Sequence, residues 1–377
     1  MNKMNKRKRI LVAPLDWGLG HATRCIPIIK TFGEKGAEVV IAADGRAALL
    51  LKEEFFSLKH ITLRGYRIRY SKIFGMTFMI ALQIPKIIFT IIREHFELKK
   101  IIEKYKPDVV ISDNRYGLWS TRLTPTLSKG EGVTSELQTI FITHQFLVKC
   151  PSALKFLEPL IHKIILFFVK KYDQCWIPDM ADEKNISGDL THKYPLPENA
   201  KFIGWLSRFD SGKNISAEKK YDLLVLLSGT EPQRTVLEKI LTEQIQKTNY
   251  NALIVRGVTE EQKQFNHQKN LTIVSYLNSQ ELFSAMNESE IIICRPWYST
   301  LMDLAATGKK AIIIPTPGQT EQEYLAEELV KKNIFCSASQ NKFNLADAMK
   351  AVGETKELKK ENFRSVVERI AEELLKK

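Results

Sequence analysis

A glycine-rich turn near the N-terminus brings together the first residues with a candidate chemical role. Gly18 and Gly20 flank a single leucine, and His21 follows at the predicted start of a helix. The glycines permit a tight turn and a close approach of backbone to a ligand, and the free N–H groups of a helix start attract an anion. Because a helix N-terminus lowers the basicity of an imidazole, His21 is a candidate base. The turn is therefore a candidate phosphate or acceptor loop, and the alternative is a glycine turn with a structural histidine.

A second polar cluster follows a buried strand in the C-terminal half. The polar residues after this strand and after the next one are Arg295, Tyr298, Ser299, Thr300, Asp303, Gln322 and Glu323. Backbone N–H groups and hydroxyls at the helix start near Tyr298 could hold a diphosphate, and Asp303, one turn further on, could accept both hydroxyls of a ribose. The amide of Gln322 both donates and accepts hydrogen bonds, which suits sugar hydroxyls. The cluster predicts a nucleotide-sugar site, and the alternative is an ordinary capped helix with solvent-facing polar side chains.

Two more strand ends, both in the N-terminal half, are polar enough to bind an acceptor. Asp113, Asn114 and Arg115 follow one predicted strand, and His144 follows the next. Asp113 is a second candidate base, and the residues alone do not decide between it and His21. Because polar residues are common at strand ends, a structural role is the alternative for each of them.

Short β-branched runs alternate with helical patterns along the whole chain, and these elements must carry the candidate sites. The alternation is typical of parallel sheets with crossover helices and predicts an α/β fold. The predicted strands are Ile10–Leu15, Ala37–Ala43, His60–Leu63, Asp108–Ser112, Thr139–Thr143, Gln174–Ile177, Tyr221–Leu227, Ala252–Arg256, Thr272–Tyr276, Glu290–Cys294 and Ala311–Pro315. The helices predicted in the first half are Ala22–Gly33, Arg46–Lys52, Phe78–Tyr105 with a kink at Pro85, and Ala153–Lys170 with a kink at Pro159.

The length of the chain, 377 residues, suggests two domains. A loop-rich stretch at residues 192–214 separates the two series of strands. We therefore predict an acceptor-binding domain at residues 1–205 and a nucleotide-sugar-binding domain at residues 206–377. The last segment, residues 358–377, is a charged amphipathic helix and a candidate to pack back on the first domain. Two doubly wound domains in tandem would face each other across a cleft at the carboxyl ends of their strands.

The composition argues against several kinds of site. A hydrophobic content of 44% and a charged content of 26% are typical of a soluble globular protein. The five cysteines include no CxxC pair, so neither a disulfide framework nor a zinc site is indicated. No Asp-x-Asp triplet occurs, which argues against a metal-dependent mechanism of that type. We expect no metal and no bound cofactor.

The positive charge is concentrated in the N-terminal half. Residues 1–210 carry 33 Lys and Arg against 21 Asp and Glu, which indicates an anionic partner or only a solubilising surface. Since no nucleic-acid-binding motif accompanies these residues, we do not expect nucleic acid as a partner. Apolar stretches at residues 72–93 and 153–170 are candidates to lie on an anionic membrane, because Gln83 and Lys86 interrupt the first too early for a transmembrane helix. The alternative is that both stretches are crossover helices facing the core.

The chain resembles the family 28 glycosyltransferases of GT-B fold in two places. One is the order of strand, arginine, helix and aspartate within residues 291–328, and the other is the Gly-x-Gly-His turn. That family includes the transferases that add N-acetylglucosamine to the lipid-linked peptidoglycan precursor. The resemblance implies two Rossmann-like domains facing a cleft, with a UDP-sugar bound by the second and His21 facing the acceptor. The donor contacts that it implies are Ser228, Gly229, Thr230, Leu277 (reading the uracil through its backbone), Tyr298, Ser299, Thr300, Asp303, Gln322 and Glu323.

The function implied by this resemblance is an inverting, metal-independent transfer from a UDP-sugar, such as UDP-N-acetylglucosamine, to a lipid-linked or cell-envelope acceptor. His21 or Asp113 would take the acceptor proton, while the helix dipole and Arg295 or Arg234 would ease the departure of the nucleoside diphosphate. The implied location is the cytoplasm, at the inner face of the cytoplasmic membrane. The turn is also similar to that of the nucleotide-sugar hydrolase of pseudaminic acid biosynthesis. A hydrolase or epimerase of the same fold is therefore the alternative, and a non-catalytic sugar-nucleotide-binding protein is a third one.

Overall fold

The computed structural model describes residues 7–66, 83–120, 137–209, 218–229, 231–259, 263–356 and 364–376. Within these ranges the chain forms two sheets, one in each half. The first sheet ends at Phe202 and the second begins at Tyr221, and the predicted boundary at residues 205 and 206 falls between them. The predicted α/β class with two parallel-sheet domains is confirmed.

The first sheet is entirely parallel, in the order β3-β2-β1-β4-β5-β6-β7. Its strands are β1 (Arg9–Pro14), β2 (Glu38–Ala43), β3 (Lys59–Thr62), β4 (Val109–Asp113), β5 (Gln138–Ile142), β6 (Gln174–Ile177) and β7 (Ala200–Phe202). Its helices are α1 (Gly20–Glu34), α2 (Gly45–Glu54), α3 (Ile84–Tyr105), α4 (Glu158–Val169) and α5 (Asp189–His192). Ile10 and Val12 of β1 pack in one apolar cluster with α1, and Leu11 packs in another with α3. The strands are therefore apolar on both faces, as parallel sheets require.

The second sheet has the order β10-β11-β9-β8-β12-β13-β14 and is antiparallel only between β10 and β11. Its strands are β8 (Tyr221–Leu226), β9 (Ala252–Val255), β10 (Phe265–Gln268), β11 (Leu271–Val274), β12 (Ser289–Cys294), β13 (Ala311–Ile313) and β14 (Cys336–Ser337). Its helices are α6 (Gln233–Ile245), α7 (Ser279–Asn287), α8 (Tyr298–Thr307), α9 (Thr320–Lys331), α10 (Leu345–Gly353) and α11 (Arg364–Lys376). One apolar cluster runs from α1 of the first domain to α7 and α8 of the second, so the two domains share a core.

The predicted strands are present, with ends shifted by at most two residues, but three strands were not predicted. These three, β7, β10 and β14, contain two to four residues each and lie at sheet edges. The predicted kink at Pro85 is wrong, because this proline lies in the first turn of α3. The helix predicted from Ala153 is divided near Pro159, because a 3-10 helix at Ser152–Leu157 passes directly into α4 and Pro159 lies in the first turn of α4. Proline is tolerated there because the N–H groups of the first turn make no hydrogen bond within the helix, so the N–H that proline lacks is not needed. Residues 67–82, which include the start of the first predicted apolar stretch, lie outside the described residues.

The last helix, α11, packs against α1 of the first domain. Lys35 and Glu372 form an ion pair of 2.7 Å between Nζ and Oε1, and Arg364 pairs with Glu34 at 2.6 Å. Ile370 is buried in the apolar cluster that contains α1. The chain therefore crosses back to the first domain at its end.

Each sheet has a switch point, where neighbouring strands are connected in opposite directions. In the first sheet β1 lies between β2 and β4, and Pro14 is paired with Asp113 at the carboxyl ends. In the second sheet β8 lies between β9 and β12, and Leu226 is paired with Cys294. Ligands of open parallel sheets bind at such points. The loops after β1, β4, β8 and β12 are therefore the positions where a site is expected.

Candidate functional site

The turn after β1 brings His21 to the switch point of the first sheet. Gly18 has a φ of 80°, a left-handed conformation that glycine adopts without strain. Helix α1 begins at Gly20, and no side chain caps it. The first N–H groups of α1 therefore remain available for an anion or an acceptor hydroxyl.

His21 and Asp113, the two candidate bases, are hydrogen-bonded to each other. His21 Nδ1 lies 2.7 Å from Asp113 Oδ1, and the carboxylate is fully buried whereas 14% of the His21 side chain is exposed. Burial lowers the pKa of His21, although the charge of Asp113 opposes this effect. A neutral His21 that donates Nδ1–H to Asp113 has its lone pair on Nε2. Nε2 is then the atom that can accept a proton.

Arg24 lies one helical turn after His21 and holds the same carboxylate. Its Nε and Nη2 atoms contact the two oxygens of Asp113. Burial by itself raises the pKa of Asp113, but the charges of Arg24 and His21 bring it down to about 2. Arg24 Nη2 also lies 3.0 Å from His21 Nδ1. Since both nitrogens are donors when Asp113 is ionised, this last contact is a close approach and not a hydrogen bond.

His144 connects this group to the second domain. Its Nδ1 lies 2.7 Å from Arg24 Nη1, and its Nε2 lies 3.0 Å from Glu321 Oε1 on α9. Its ring stacks on Tyr298 of α8 with a centroid distance of 4.1 Å and an angle of 16°. His144 is buried, so it bridges the two domains instead of lining an acceptor loop as predicted.

The start of α8 faces the start of α1. Trp297 occupies the N-cap position in an extended conformation, and no side chain caps α8. A Cβ on Gly20 would lie only 2.7 Å from the hydroxyl oxygen of Ser299, which shows how closely the two helix starts approach. Ser299 and Thr300 are both partly exposed. The predicted diphosphate site is therefore built from uncapped N–H groups beside two hydroxyls.

The ring of Trp297 lies over the turn after β8. Gly229 has a φ of 98°, and a Cβ built on it would be 3.7 Å from Trp297 Cζ2. Ser228 is partly exposed in this turn, whereas Thr230 lies outside the described residues. Leu277, in the loop after β11, is partly buried against the shared core. The turn and the indole together form one wall beside the start of α8.

Asp303, the predicted ribose ligand, is held by two residues that follow β7. Ser207 Oγ donates to Oδ1 at 2.7 Å, and Arg208 Nε donates to Oδ2 at 3.0 Å. Burial nevertheless raises the pKa of Asp303. A ribose hydroxyl that binds here would replace one of these donors.

The buried side-chain atoms without a hydrogen-bond partner in the described part of the chain include one of Gln322 and one of Asn114, both predicted site residues. Gln322 Oε1 accepts from the N–H of Thr316 at 2.8 Å, but Nε2 is unpaired. Asn114, which follows Asp113 with a φ of 51°, has an unpaired Oδ1. An unpaired buried polar atom costs free energy, so each one points to a missing ligand or water. Glu323, by contrast, accepts from the N–H of Gly318 at 2.8 Å.

Two predicted site arginines have a different role. Arg295 is fully buried and donates to the backbone carbonyls of Ile314 at 2.9 Å and Pro315 at 3.0 Å. Arg115 is equally buried and donates to the carbonyl of Pro14 at 2.9 Å. An enclosed guanidinium cannot touch a ligand in a cleft. The predicted direct contacts are therefore corrected, and both arginines instead hold the loops that carry the site.

The sequence reasoning missed Arg24 and Glu321. Arg24 could have been found, because residues three apart on a helix share a face and His21 precedes it by three. No signal in the sequence connects Glu321 with His144, which is 177 residues away. The described residues include no group of three His, Cys, Asp or Glu side chains placed to hold a metal ion. None of the described helices has the length and apolarity required to span a membrane.

Comparison with known proteins gives a consistent picture. Residues 223–374 match the glycosyltransferase family 28 C-terminal domain. A UDP-N-acetylglucosamine–N-acetylmuramyl-(pentapeptide) pyrophosphoryl-undecaprenol N-acetylglucosamine transferase of Thermoanaerobacter sp. (strain X514) is 25% identical over 328 residues, with 83% of this chain and 81% of the relative covered. An uncharacterized glycosyltransferase of Methanosarcina mazei is 21% identical over 345 residues, with coverages of 84% and 81%. The crystal structure of the glycosyltransferase SnogD from Streptomyces nogalater superposes with a TM-score of 0.59 at 13% identity, over 98% of this chain and 95% of that one.

Proposed function

Because the chain is a glycosyltransferase of GT-B fold that resembles the family 28 enzymes, we propose that it transfers a sugar from a UDP-sugar to an acceptor hydroxyl. The proposed reaction inverts the anomeric centre and uses neither a metal nor a bound cofactor. UDP-N-acetylglucosamine is the proposed donor, since the N-acetylglucosamine transferase relative spans most of the chain. The observation that carries the proposal is the hydrogen bond between His21 and the buried Asp113 at the edge of the cleft.

The proposed base is His21, with Asp113 as its positioning residue. Asp113 is fully buried and its oxygens are occupied by Arg24 and His21, so it has no access to an acceptor. His21 Nε2 takes the proton of the acceptor hydroxyl, and Asp113 stabilises the imidazolium that results. The acceptor oxygen then attacks the anomeric carbon from the face opposite to the nucleotide. A single displacement of this kind inverts the configuration.

The leaving UDP is stabilised, in this proposal, by the start of α8. The N–H groups of Ser299 and Thr300 and the dipole of the helix counter the charge that develops on the diphosphate. The absence of an Asp-x-Asp triplet supports this electrostatic route without a metal. The unpaired Nε2 of Gln322 supports a contact with a hydroxyl of the transferred sugar.

Titration calorimetry with nucleoside diphosphates tests the donor half of the proposal. We expect UDP to bind the full chain at micromolar concentration and ADP and GDP to bind more weakly. Asp303→Asn should weaken UDP by at least about tenfold (roughly 1.4 kcal/mol), because an amide accepts ribose hydroxyls less well than a carboxylate. Glu327→Gln, an exposed change on α9, is the matched control and should leave the affinity unchanged. If no nucleoside diphosphate binds the wild type, the proposed donor is wrong.

Turnover of the sugar nucleotide separates transfer from hydrolysis. The base that deprotonates an acceptor hydroxyl could also activate water, which is the hydrolase alternative. With UDP-N-acetylglucosamine and no acceptor, we expect slow release of UDP that accelerates when lipid-linked acceptors are added. Fast release without any acceptor would favour the hydrolase instead.

We further propose that the acceptor is lipid-linked and that the first domain contacts an anionic membrane. Helices α3 and α4 and the turn before α4 bury one face and expose apolar side chains on the other. We call these side chains the outer apolar face: Ile84, Ile88, Phe89, Ile92, Phe96, Phe156, Leu160, Ile164 and Phe167. The Lys171 ammonium lies 4.5 Å from the ring centre of Phe167 and 4.3 Å from that of Trp119, and Trp119 stacks on His95 of α3. Apolar side chains bordered by lysines suit the surface of an anionic bilayer.

Vesicle sedimentation tests the membrane contact. The wild type should bind vesicles that contain phosphatidylglycerol and should bind pure phosphatidylcholine vesicles less. Phe89→Glu with Phe167→Glu should abolish binding, because each change puts a charge into the outer apolar face. Phe56→Glu is the control, since Phe56 is 88% exposed but lies outside that face. Equal loss in the control, or no binding by the wild type, would contradict the proposal.

A further inference from the structure

An uninterrupted series of hydrogen bonds runs from the second domain to His21. It starts at Glu321 on α9, passes through His144 and Arg24, and ends at Asp113 and His21. Its members come from β4, α1, the loop after β5 and α9, so it crosses the cleft once, between His144 and Glu321. Glu321 directly precedes Gln322, whose amide is the candidate contact for the transferred sugar.

Donors and acceptors in this series can be assigned without ambiguity. Arg24 only donates, and an ionised carboxylate only accepts. His144 Nδ1 must therefore accept from Arg24, and His144 Nε2–H must donate to Glu321. His21 Nδ1–H must donate to Asp113. His144 is therefore neutral, and the two carboxylates of the series, Glu321 at one end and Asp113 next to His21, fix the ring nitrogen of each imidazole that carries the donated proton.

We propose that Glu321 and His144 are positioning residues through which the second domain sets the tautomer and orientation of His21. Glu321 holds His144, His144 holds the Arg24 guanidinium, and Arg24 aligns the Asp113 carboxylate with His21. The base is therefore correctly set only when α9 is seated against the first domain. This proposal rests on the proposed role of His21 as the base. It goes beyond that role because it assigns a function to Glu321 and His144, neither of which contacts His21 directly.

The burial of the series supports a positioning role. Asp113 is fully enclosed, 2% of the Arg24 side chain is exposed, and the values for His144 and Glu321 are 8% and 15%. Hydrogen bonds with charged groups in such surroundings are strong and directional. The ring of Tyr298 stacks on His144 and adds a packing contact from the second domain to the two hydrogen bonds that hold this imidazole.

Nitrogen NMR of the full chain labelled with ¹⁵N-histidine tests the proposal directly. The chain has seven histidines, and a two-bond proton–nitrogen correlation spectrum reports which ring nitrogen of each carries the proton. His21→Asn and His144→Gln assign the two signals. In the wild type, His21 should be protonated at Nδ1 and His144 at Nε2. In Glu321→Ala, the His144 ring loses the acceptor that holds it against Arg24, so Arg24 no longer keeps Asp113 in line with His21 and both residues should shift towards averaged tautomers.

Two variants keep the test independent of folding. Glu321→Gln retains an oxygen that accepts from His144 Nε2–H, so it should restore both wild-type signatures. Glu327→Ala changes an exposed carboxylate on the same helix and should alter neither. An unchanged His21 signature in Glu321→Ala would overturn the proposal, as would an Ala effect that Gln does not rescue.

Kinetics separate this inference from the proposed function. Once a donor turns over, Glu321→Ala should lower kcat by about tenfold, within the range by which a base contributes, while the Kd of UDP stays within about twofold. If His21→Asn keeps the wild-type kcat, the proposed base is wrong. If His21→Asn is inactive but Glu321→Ala has the wild-type kcat, only the positioning role is wrong.

Discussion

Two buried arginine–carboxylate pairs lie close together in the first domain, yet their carboxyl groups titrate in opposite directions. Arg24 holds Asp113 at the cleft, whereas Arg115 holds Glu94 of α3 on the other side of the loop after β4. Burial raises the pKa of both carboxyls. Because of its cationic neighbours the pKa of Asp113 nevertheless falls to about 2, while that of Glu94 rises to about 7.

The number of close hydrogen-bond donors explains the difference. Asp113 receives two contacts from Arg24 and one from His21. Glu94 receives one from Arg115 at 3.0 Å and a longer one, 3.3 Å, from the N–H of Gly117. The remaining donors of Arg115 are used by backbone carbonyls such as that of Leu63, at 2.7 Å. The pair at the cleft thus keeps its carboxyl group ionised, whereas the second pair ties loops together.

Asp113→Asn should therefore lower both activity and stability strongly, although asparagine has nearly the same shape as aspartate. We expect turnover to fall by about 10²–10⁴-fold, because the amide neither fixes the tautomer of His21 nor stabilises its imidazolium. The unfolding free energy should fall by about 3–5 kcal/mol, since Arg24 is left buried without a counter-charge. Urea unfolding and initial rates measure the two effects.

A double variant distinguishes the two roles of Asp113. Asp113→Leu with Arg24→Met replaces the pair by apolar side chains of similar size, which often restores stability. We expect recovered stability without recovered activity. Recovery of both would mean that Asp113 has no part in the chemistry.

Glu94→Gln should have a smaller and pH-dependent effect. The pKa of Glu94 is raised from its ordinary value of 4.5 to about 7, so the folded state favours the protonated acid. That contribution is fully present below pH 4.5 and is lost as the pH rises through 7. Relative to Glu94→Gln, the wild type should lose up to about 3 kcal/mol between pH 4 and pH 8. If the stabilities of the wild type and Glu94→Gln, measured by urea unfolding, stay parallel from pH 4 to pH 8, folding does not raise the pKa of Glu94.

The sequence predicted the parts of the site that depend on local order. His21 follows a glycine turn, Asp113 ends a buried strand, and α8 begins after another, so strand patterns and chain order were sufficient to bring these to the switch points. The same patterns suggested that Arg295 and Arg115 face the cleft, because a strand end looks the same whether its side chain points outward or into the interior. Only the packing around each guanidinium decides this.

The contacts between domains could not be predicted. The bond between His144 and Glu321 depends on how two separately formed sheets are placed relative to each other, and no local pattern encodes that placement. The short edge strands β7, β10 and β14 were missed for a related reason. Their two to four residues form strands only because a neighbouring strand supplies the hydrogen bonds.

The rate of transfer should depend on pH through His21. Burial lowers its pKa from the ordinary value of 6.5; Asp113 opposes that shift, and Arg24 and His144 add to it. In the proposed mechanism the neutral imidazole is the active form, so activity should be complete above pH 6.5 and should be lost as the pH falls through the lowered pKa. The acid limb of kcat/KM should therefore lie below 6.5 and coincide with the NMR titration of His21. If kcat/KM instead falls with an apparent pKa above 6.5, a group other than His21 is the base.

Gly20→Ala perturbs the contact between the starts of α1 and α8 and leaves both arginine–carboxylate pairs in place, so it separates a local effect on the site from an effect on the fold. The new Cβ would lie 2.7 Å from Ser299 Oγ, so the hydroxyl must rotate away from the start of α8. We expect UDP affinity to fall by about threefold, or roughly 0.7 kcal/mol. The unfolding free energy should stay equal or rise by up to about 1 kcal/mol, because alanine is the better helix former.

The control is the same change in the Ser299→Ala background. The hydroxyl is absent there and the nearest remaining atom, Cβ, is 3.5 Å away, so Gly20→Ala should leave UDP affinity unchanged. If Gly20→Ala lowers UDP affinity threefold both in the wild type and in Ser299→Ala, the contact between the new Cβ and Ser299 Oγ is not the cause.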